Sequence, residues 1–309
     1  MENNWVSYKN GNYNVHLDLT SGTKIRENNL SFFKADRPEN MDIKITNRCN
    51  MGCPFCHENS VCNGKHSDAF HSKFLETLPE WTECAYGGGN VLEYPDLVPL
   101  LRKSKNLHLI SNITVNQKHF MENLSFLREL VNQKLIYGLG ISLIDPYQEG
   151  FIAAVKTFPN AVIHVINGVV TLAQLSALGC KDLKILILGY KEVRRGVAYK
   201  ADVDHLVGLR KNRLYASLPF IAEHNWFKTI SFDNLALEQL EPKRFLSDEF
   251  YAAHNLGDDG LMGEQTSASY YVDLVENVFA RNSCDVNHRY PLENHTATEC
   301  YQLLRDNKI

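Results

Sequence analysis

Long apolar runs are absent. No stretch of the 309 residues approaches 18 consecutive apolar positions, so no membrane-spanning helix is expected. The opening "MENNWVSYKNGNYNVHLDL" has neither an apolar centre nor a small-residue cleavage site, so no secretory signal is expected there. An excess of positive charge is also missing. Lys and Arg number 32 against 36 Asp and Glu, for a net charge of -4 and a pI near 6.3. Extended nucleic-acid binding is therefore not expected, because phosphate recognition needs clustered basic groups. The small basic group Lys191, Arg194 and Arg195 reads as a solvated helix end. Internal repeats and low-complexity tracts are lacking, and 44% hydrophobic with 22% charged residues is ordinary for a globular chain. Eight cysteines without a leader point to reduced thiols and a cytoplasmic setting, where a tight cluster reads as metal-binding before disulfide.

What the chain does contain is alternation. A β-meander opens it, "WVSYK" and "YNVHLDL" joined at Asn10-Gly11, then "TKIRE" after Ser21-Gly22. From residue 41, strands alternate with helical patterns. The strands are "MDIKIT" (41–46), "TECAYG" (82–87), "LHLISNITVN" (107–116), "IYGLGISL" (136–143), "AVIHVI" (161–166) and "LKILIL" (183–188). Helical spacing is read at 67–78 with Ser67 as N-cap, at 95–105 with Pro95 at its start, and at 119–133. Further helices are read at about 146–157, 171–178 and 202–213. Six strand–helix units imply an α/β chain built as a partial (βα)6 TIM-like barrel, since a closed one needs eight. Residues 1–40 are read as an N-terminal meander, 41–213 as the barrel core and 214–309 as a C-terminal α+β cap on the barrel mouth.

The chemistry gathers in "TNRCNMGCPFCHEN", residues 46–59. Cys49, Cys53 and Cys56 follow the first core strand, where parallel α/β barrels carry their working groups. Thiolates at this density bind soft metal centres. A structural zinc site closes with four protein ligands, and His57, Cys62 and His66 are the nearest further candidates. Three cysteines can instead hold three irons of a [4Fe–4S] cluster and leave the fourth open.

The C-x3-C-x2-C spacing, with Phe55 before the last cysteine and the loop directly after a first strand, resembles the radical S-adenosylmethionine (SAM) superfamily signature. The resemblance implies one [4Fe–4S] cluster on Cys49, Cys53 and Cys56 and an electron donor such as flavodoxin or ferredoxin. It implies SAM chelated at the open iron and cleaved to a 5′-deoxyadenosyl radical, which takes a hydrogen atom from the substrate. It also implies a SAM site. Gly87, Gly88 and Gly89 after the second strand would approach the methionine moiety, with Asn90 where the family commonly has an acidic residue. Asn112 and Ser142 would meet the ribose and carboxylate from the middle strand ends, where Thr114 and Asn116 also lie. Phe55 and the backbone from Ile187 to Gly189 would pack on the adenine. His164, flanked by valine and isoleucine, reads as a satisfied core histidine.

The C-terminal "SYYVDLVENVFARNSC", followed by "TATECYQLLRDN", is similar in layout to a degenerate SPASM- or twitch-like extension of peptide-modifying relatives. Cys284 and Cys300 are too few for a second cluster. In epimerase-type relatives a single C-terminal cysteine returns a hydrogen atom, a role open to Cys284 beside that of a small apolar core residue. The Gly-rich "LGDDGLMGEQTS" has the composition of a mobile loop, in which Asp258 and Asp259 either meet a cationic substrate group or belong to a solvated linker. A peptide or amino-acid-derived substrate is favoured by this layout, with a nucleoside or other small metabolite next. Two other readings remain open: a glycyl-radical activase, and a zinc-binding structural or interaction module.

Overall fold

The computed structural model describes residues 4–30, 32–254 and 267–306. Asp258 and Asp259 lie outside the described residues. Two sheets are present. The first is the expected meander, β1 (Trp5–Asn10), β2 (Tyr13–Asp18) and β3 (Lys24–Glu27), antiparallel in the order β1-β2-β3. Gly11 sits at φ +57 in the first turn, with its Cα face closed by the Lys34 carbonyl, so no side chain fits there.

The second sheet has ten strands. They are β4 (Asn40–Thr46), β5 (Glu83–Gly88), β6 (Ile110–Asn116), β7 (Gly138–Ser142), β8 (Ala161–Ile166), β9 (Lys184–Leu188), β10 (Thr229–Phe232), β11 (Ser269–Asp273), β12 (Val278–Ala280) and β13 (Tyr290–Pro291). Their order is β10-β9-β8-β7-β6-β5-β4-β11-β12-β13, and β4 to β11 are all parallel. All six core strands read from the sequence are present.

The C-terminal stretch differs from its reading. The hairpin expected there exists as β11 and β12, but β11 pairs with β4 and extends the parallel sheet, rather than lying over its mouth as a cap. "TISF" forms β10 on the opposite edge. Both segments are too short to carry a periodicity, and their partners decide their state.

Among the described residues the α-helices are α1 (Leu97–Asn106), α2 (Gln117–Glu122), α3 (Leu124–Asn132), α4 (Phe151–Lys156), α5 (Leu172–Leu178), α6 (Arg195–Glu223), α7 (Asn234–Leu240), α8 (Asp248–His254) and α9 (Ala297–Arg305). The helix expected over 67–78 is only a 3₁₀ turn at Phe74–Thr77. The Ser67 amide donates to the Ile45 carbonyl instead of opening a helix, and the Ser72 hydroxyl accepts from the Phe74 amide. Such local bonds compete with helix. The apolar spacing instead places Ala69, Phe74, Leu75 and Leu78 in the core. The 119–133 helix breaks at Asn123, and α6 runs well past 202–213, with non-helical dihedrals at Val203.

One continuous core lies between the sheet and its helices. Met41, Ile43, Ile45, Ile113, Val115, Ile141, Ile163, Val165, Ile185 and Ile187 meet Leu100, Leu101, Phe120, Leu127, Phe151, Leu175 and Leu218 there. Each such side chain contributes about 1.5–3 kcal/mol on burial. Tyr13 and Val15 of the meander and Leu304 of α9 join the same core.

Because strand side chains alternate, the other face of β4 to β8 carries Asp42, Lys44, Thr46, Asn112, Thr114, Ser142 and His164. The sheet also curls. Four strands lie between β4 and β9 in the ladder, yet Asp42 and Leu186 line one cavity of about 330 Å³.

Candidate functional site

The cysteine loop leaves β4 at a register shift between Lys44 and Thr46 and returns to it at His66, which bridges Thr46. Its stem is double. The Asn47 amide donates to the Lys65 carbonyl at 2.8 Å, the Val61 amide to Asn47 at 3.1 Å and the Cys49 amide to Val61 at 2.9 Å. Gly64 makes this possible, because a Cβ there would lie 2.1 Å from the Asn47 carbonyl oxygen.

Cys49, Cys53 and Cys56 are free and half-buried. Burial pushes the Cys49 and Cys53 thiols up, and negative charge on neighbouring cysteines pushes them further. The three are thus electrostatic neighbours on one anchored loop. Among the described residues no three His, Cys, Asp or Glu side chains are gathered to hold a metal ion. The donor set fits a soft three-ligand centre. Of the further zinc-ligand candidates, His57 lies against Glu58 Oε1 at 3.4 Å and His66 Nδ1 against Thr46 Oγ1 at 2.9 Å, while Cys62 is free and exposed.

Two arginines hold the loop from the start of α6, contrary to their reading as a solvated helix end. Arg195 donates to the Cys53 carbonyl at 3.3 Å, the Ser60 carbonyl at 2.6 Å and Asn59 Oδ1 at 3.0 Å. Arg194 donates to the His57 carbonyl at 3.0 Å and lies 3.4 Å from Glu58 Oε2. Lys191 donates to Ser283 Oγ at 2.9 Å. Phe55 meets Tyr199 of α6 edge-on at 5.6 Å.

Beneath the loop lies a buried charge network that sequence reasoning missed. The Lys44 ammonium sits 3.1 Å from Glu58 and 3.0 Å from Asp273, all three nearly fully buried. The Tyr271 hydroxyl donates to Glu58 at 3.2 Å. Burial alone would push the Glu58 carboxyl up, but His57 and Lys44 hold it well below the carboxylate range. The network ties the loop to β4 and β11. Its sequence signal was available, since Asp42 and Lys44 alternate with Met41, Ile43 and Ile45 in an apolar strand.

The three glycines separate into two kinds. A Cβ on Gly88, at φ +108, would lie 2.3 Å from the Thr46 carbonyl oxygen, and one on Gly89 would lie 2.1 Å from that of Arg48. Both glycines therefore let the β5 loop press against the cysteine loop. Gly87 faces open space. Asn90 is buried and caps the next turn, accepting from the Leu92 amide and donating to Glu93 Oε1 at 3.0 Å. Glu93 in turn meets Arg48 at 3.2 Å.

Across the inner face, Asn112, Thr114, Ser142 and His164 have no side-chain hydrogen-bond partner among the described residues. His164 is therefore not the satisfied core histidine expected. Its ring lies over Gly140, where a Cβ would be 2.4 Å from Cε1, and burial pushes it down to about 4. Asn116 instead caps α2 through Lys118. The Ile187 side chain points into the core. The Gly189 amide is taken by Asp233 at 2.8 Å, and Leu235 covers its Cα. Cys284 lines the 330 Å³ cavity, and Cys300 is buried in the core.

No protein-family model matches the sequence, and no curated protein sequence matches it. Solved structures do. Streptococcus suis SuiB bound to S-adenosylmethionine superposes with a TM-score of 0.58 at 12% identity, over 99% of this chain and 88% of that one. SuiB bound to its precursor peptide SuiA gives the same values. anSMEcpe with bound AdoMet gives 0.52 at 15% identity, over 87% of this chain and 82% of that one. The fold is shared with these SAM-bound proteins.

Proposed function

We propose that the chain is a radical SAM enzyme built on a partial barrel. The observation that carries this reading is the cysteine loop. Three free thiols in C-x3-C-x2-C spacing sit at the end of a parallel strand, on a loop that Arg194, Arg195 and the Lys44 network hold in place. A [4Fe–4S] cluster held by Cys49, Cys53 and Cys56 supplies, when bound, the electron that cleaves SAM to a 5′-deoxyadenosyl radical able to take a hydrogen atom from a substrate.

This chain's own residues bind and orient. Gly87 leaves room for the methionine end of SAM beside the cysteine loop. Asn112 and Ser142 offer unpartnered polar groups along the inner face for its ribose and carboxylate. Phe55 offers a ring to its adenine, and enclosure by the curled sheet keeps water from a reactive intermediate. The shared fold with SAM-bound structures supports the cofactor. A peptide substrate is supported by the likeness to a chain crystallised with its precursor peptide.

The test is anaerobic reconstitution followed by dithionite and SAM. Release of 5′-deoxyadenosine that disappears in Cys53→Ala is the expected result. A colourless protein carrying one zinc would replace this reading with a structural zinc module. A fully iron-loaded protein that leaves SAM intact would overturn it.

A further inference from the structure

The 330 Å³ cavity lies where the two flanks of the sheet approach each other, β4 and β11 on one side, β9 and β10 on the other. Its charged lining residues are almost all engaged. Arg281 donates to the Leu304 carbonyl, Arg305 to that of Ala35 and Lys191 to Ser283. Asp233 accepts from the Gly189 and Ala236 amides, each at 2.8 Å.

Asp42 is the exception. It makes no hydrogen bond or ion pair among the described residues. It stands mid-strand with Ala85 and Tyr271 beside it in register, and its open surface belongs to the cavity. Asp42 is exposed to solvent within the cavity, and the protein around it, with Asp233 and Glu58 nearby, pushes its carboxyl up against the pull of Lys191. An unpaired carboxylate on the wall of a cavity exchanges its water for a charge-assisted hydrogen bond when a cation binds. The cavity also borders the cysteine loop's support, since Tyr271, in register with Asp42, donates its hydroxyl to Glu58, two residues beyond Cys56.

We propose that this cavity receives a substrate group ending in an organic cation, an alkylammonium or guanidinium, with Asp42 as its counter-charge. As the seat of the reacting substrate it rests on the radical SAM reading, but its binding chemistry does not. Charge-assisted hydrogen bonds to Asp42 would fix the cationic end, and the volume suits one long side chain above it.

The test is calorimetric titration of the purified full chain with N-acetyl-lysine N-methylamide, its norleucine counterpart and n-butylammonium. Saturable binding of the capped lysine but not of norleucine is expected, weakened roughly tenfold or more in Asp42→Asn. Lys191→Met should tighten it by removing a competing ammonium, which gives a second handle if Asp42→Asn melts early by circular dichroism. Binding of butylammonium with exclusion of the capped lysine would support the same site and assign it to a free amine rather than a peptide side chain. No saturation at millimolar probe, or equal binding of norleucine, overturns the site. SAM cleavage without Asp42-dependent binding sinks the site alone. Asp42-dependent binding in a protein that leaves SAM intact sinks the radical reading alone.

Discussion

The Arg195 guanidinium, 142 positions downstream of Cys53, donates to its carbonyl oxygen at 3.3 Å while two further donors grip Ser60 and Asn59. One planar fork thus spans the segment that contains the second and third cysteines. Arg195→Met removes all three bonds, and the iron retained per chain after reconstitution is expected to fall severalfold. Arg195→Lys keeps the charge without the fork geometry and should recover part of it. Full iron content in the Met variant would show that the loop keeps its shape unaided.

Gly87, Gly88 and Gly89 should respond differently to alanine. Gly89→Ala places a methyl 2.1 Å from the Arg48 carbonyl oxygen, and Gly88→Ala adds a positive-φ penalty to a 2.3 Å contact. Both are expected to lower the melting temperature, by a few degrees or more. Gly87→Ala meets no atom within 4 Å and should melt like the parent. If Gly87 lines the SAM site, that variant alone will pair normal stability with weakened SAM affinity.

Lys44 stands between two buried carboxylates. Lys44→Met leaves Glu58 and Asp273 facing each other, and urea denaturation should show a loss of about 3–5 kcal/mol. Adding Glu58→Gln to Lys44→Met should return part of it. A loss below about 1 kcal/mol would mean that the carboxylates find other partners.

Glu39 sets an acid limit for the meander. Burial would push its carboxyl up, but Lys24 and Arg26, with the Tyr13 hydroxyl, hold it down at about 2. The folded value lies below the ordinary 4.5, so its contribution is complete above that value and disappears as pH falls toward about 2. The contribution is on the order of 3 kcal/mol. Glu39→Gln should flatten this part of the stability–pH curve, as read by chemical denaturation between pH 5 and 2.

Much of the parallel core was legible because "MDIKIT", "AVIHVI" and "LKILIL" are short, apolar and β-branched, and turn residues bound them. The cysteine loop stands out in the sequence for a different reason: its spacing is a chemical pattern that no packing requirement imitates. The long-range partners were not legible. Nothing near Arg194 and Arg195 tells that their acceptors lie in residues 53–60, and a double arginine at a helix start looks like any solvated end. The false helix at 67–78 shows the converse, since apolar spacing reports which residues are buried but not which backbone bonds they make.

The pairing of β4 with β11 has a consequence for assembly. Asp273 and Tyr271, which complete the support under the cysteine loop, come more than 200 positions after the cysteines. On a ribosome, β5 to β9 can all be in place before these residues exist, because synthesis runs from the N-terminus and distant parallel pairings form late. Until then Lys44 has only Glu58 for a partner, and the loop hangs from an unfinished edge. Loading of the proposed iron centre would then be timed to the end of translation: a ribosome-stalled chain ending before residue 267 should carry all three cysteines and yet retain less iron than the released protein.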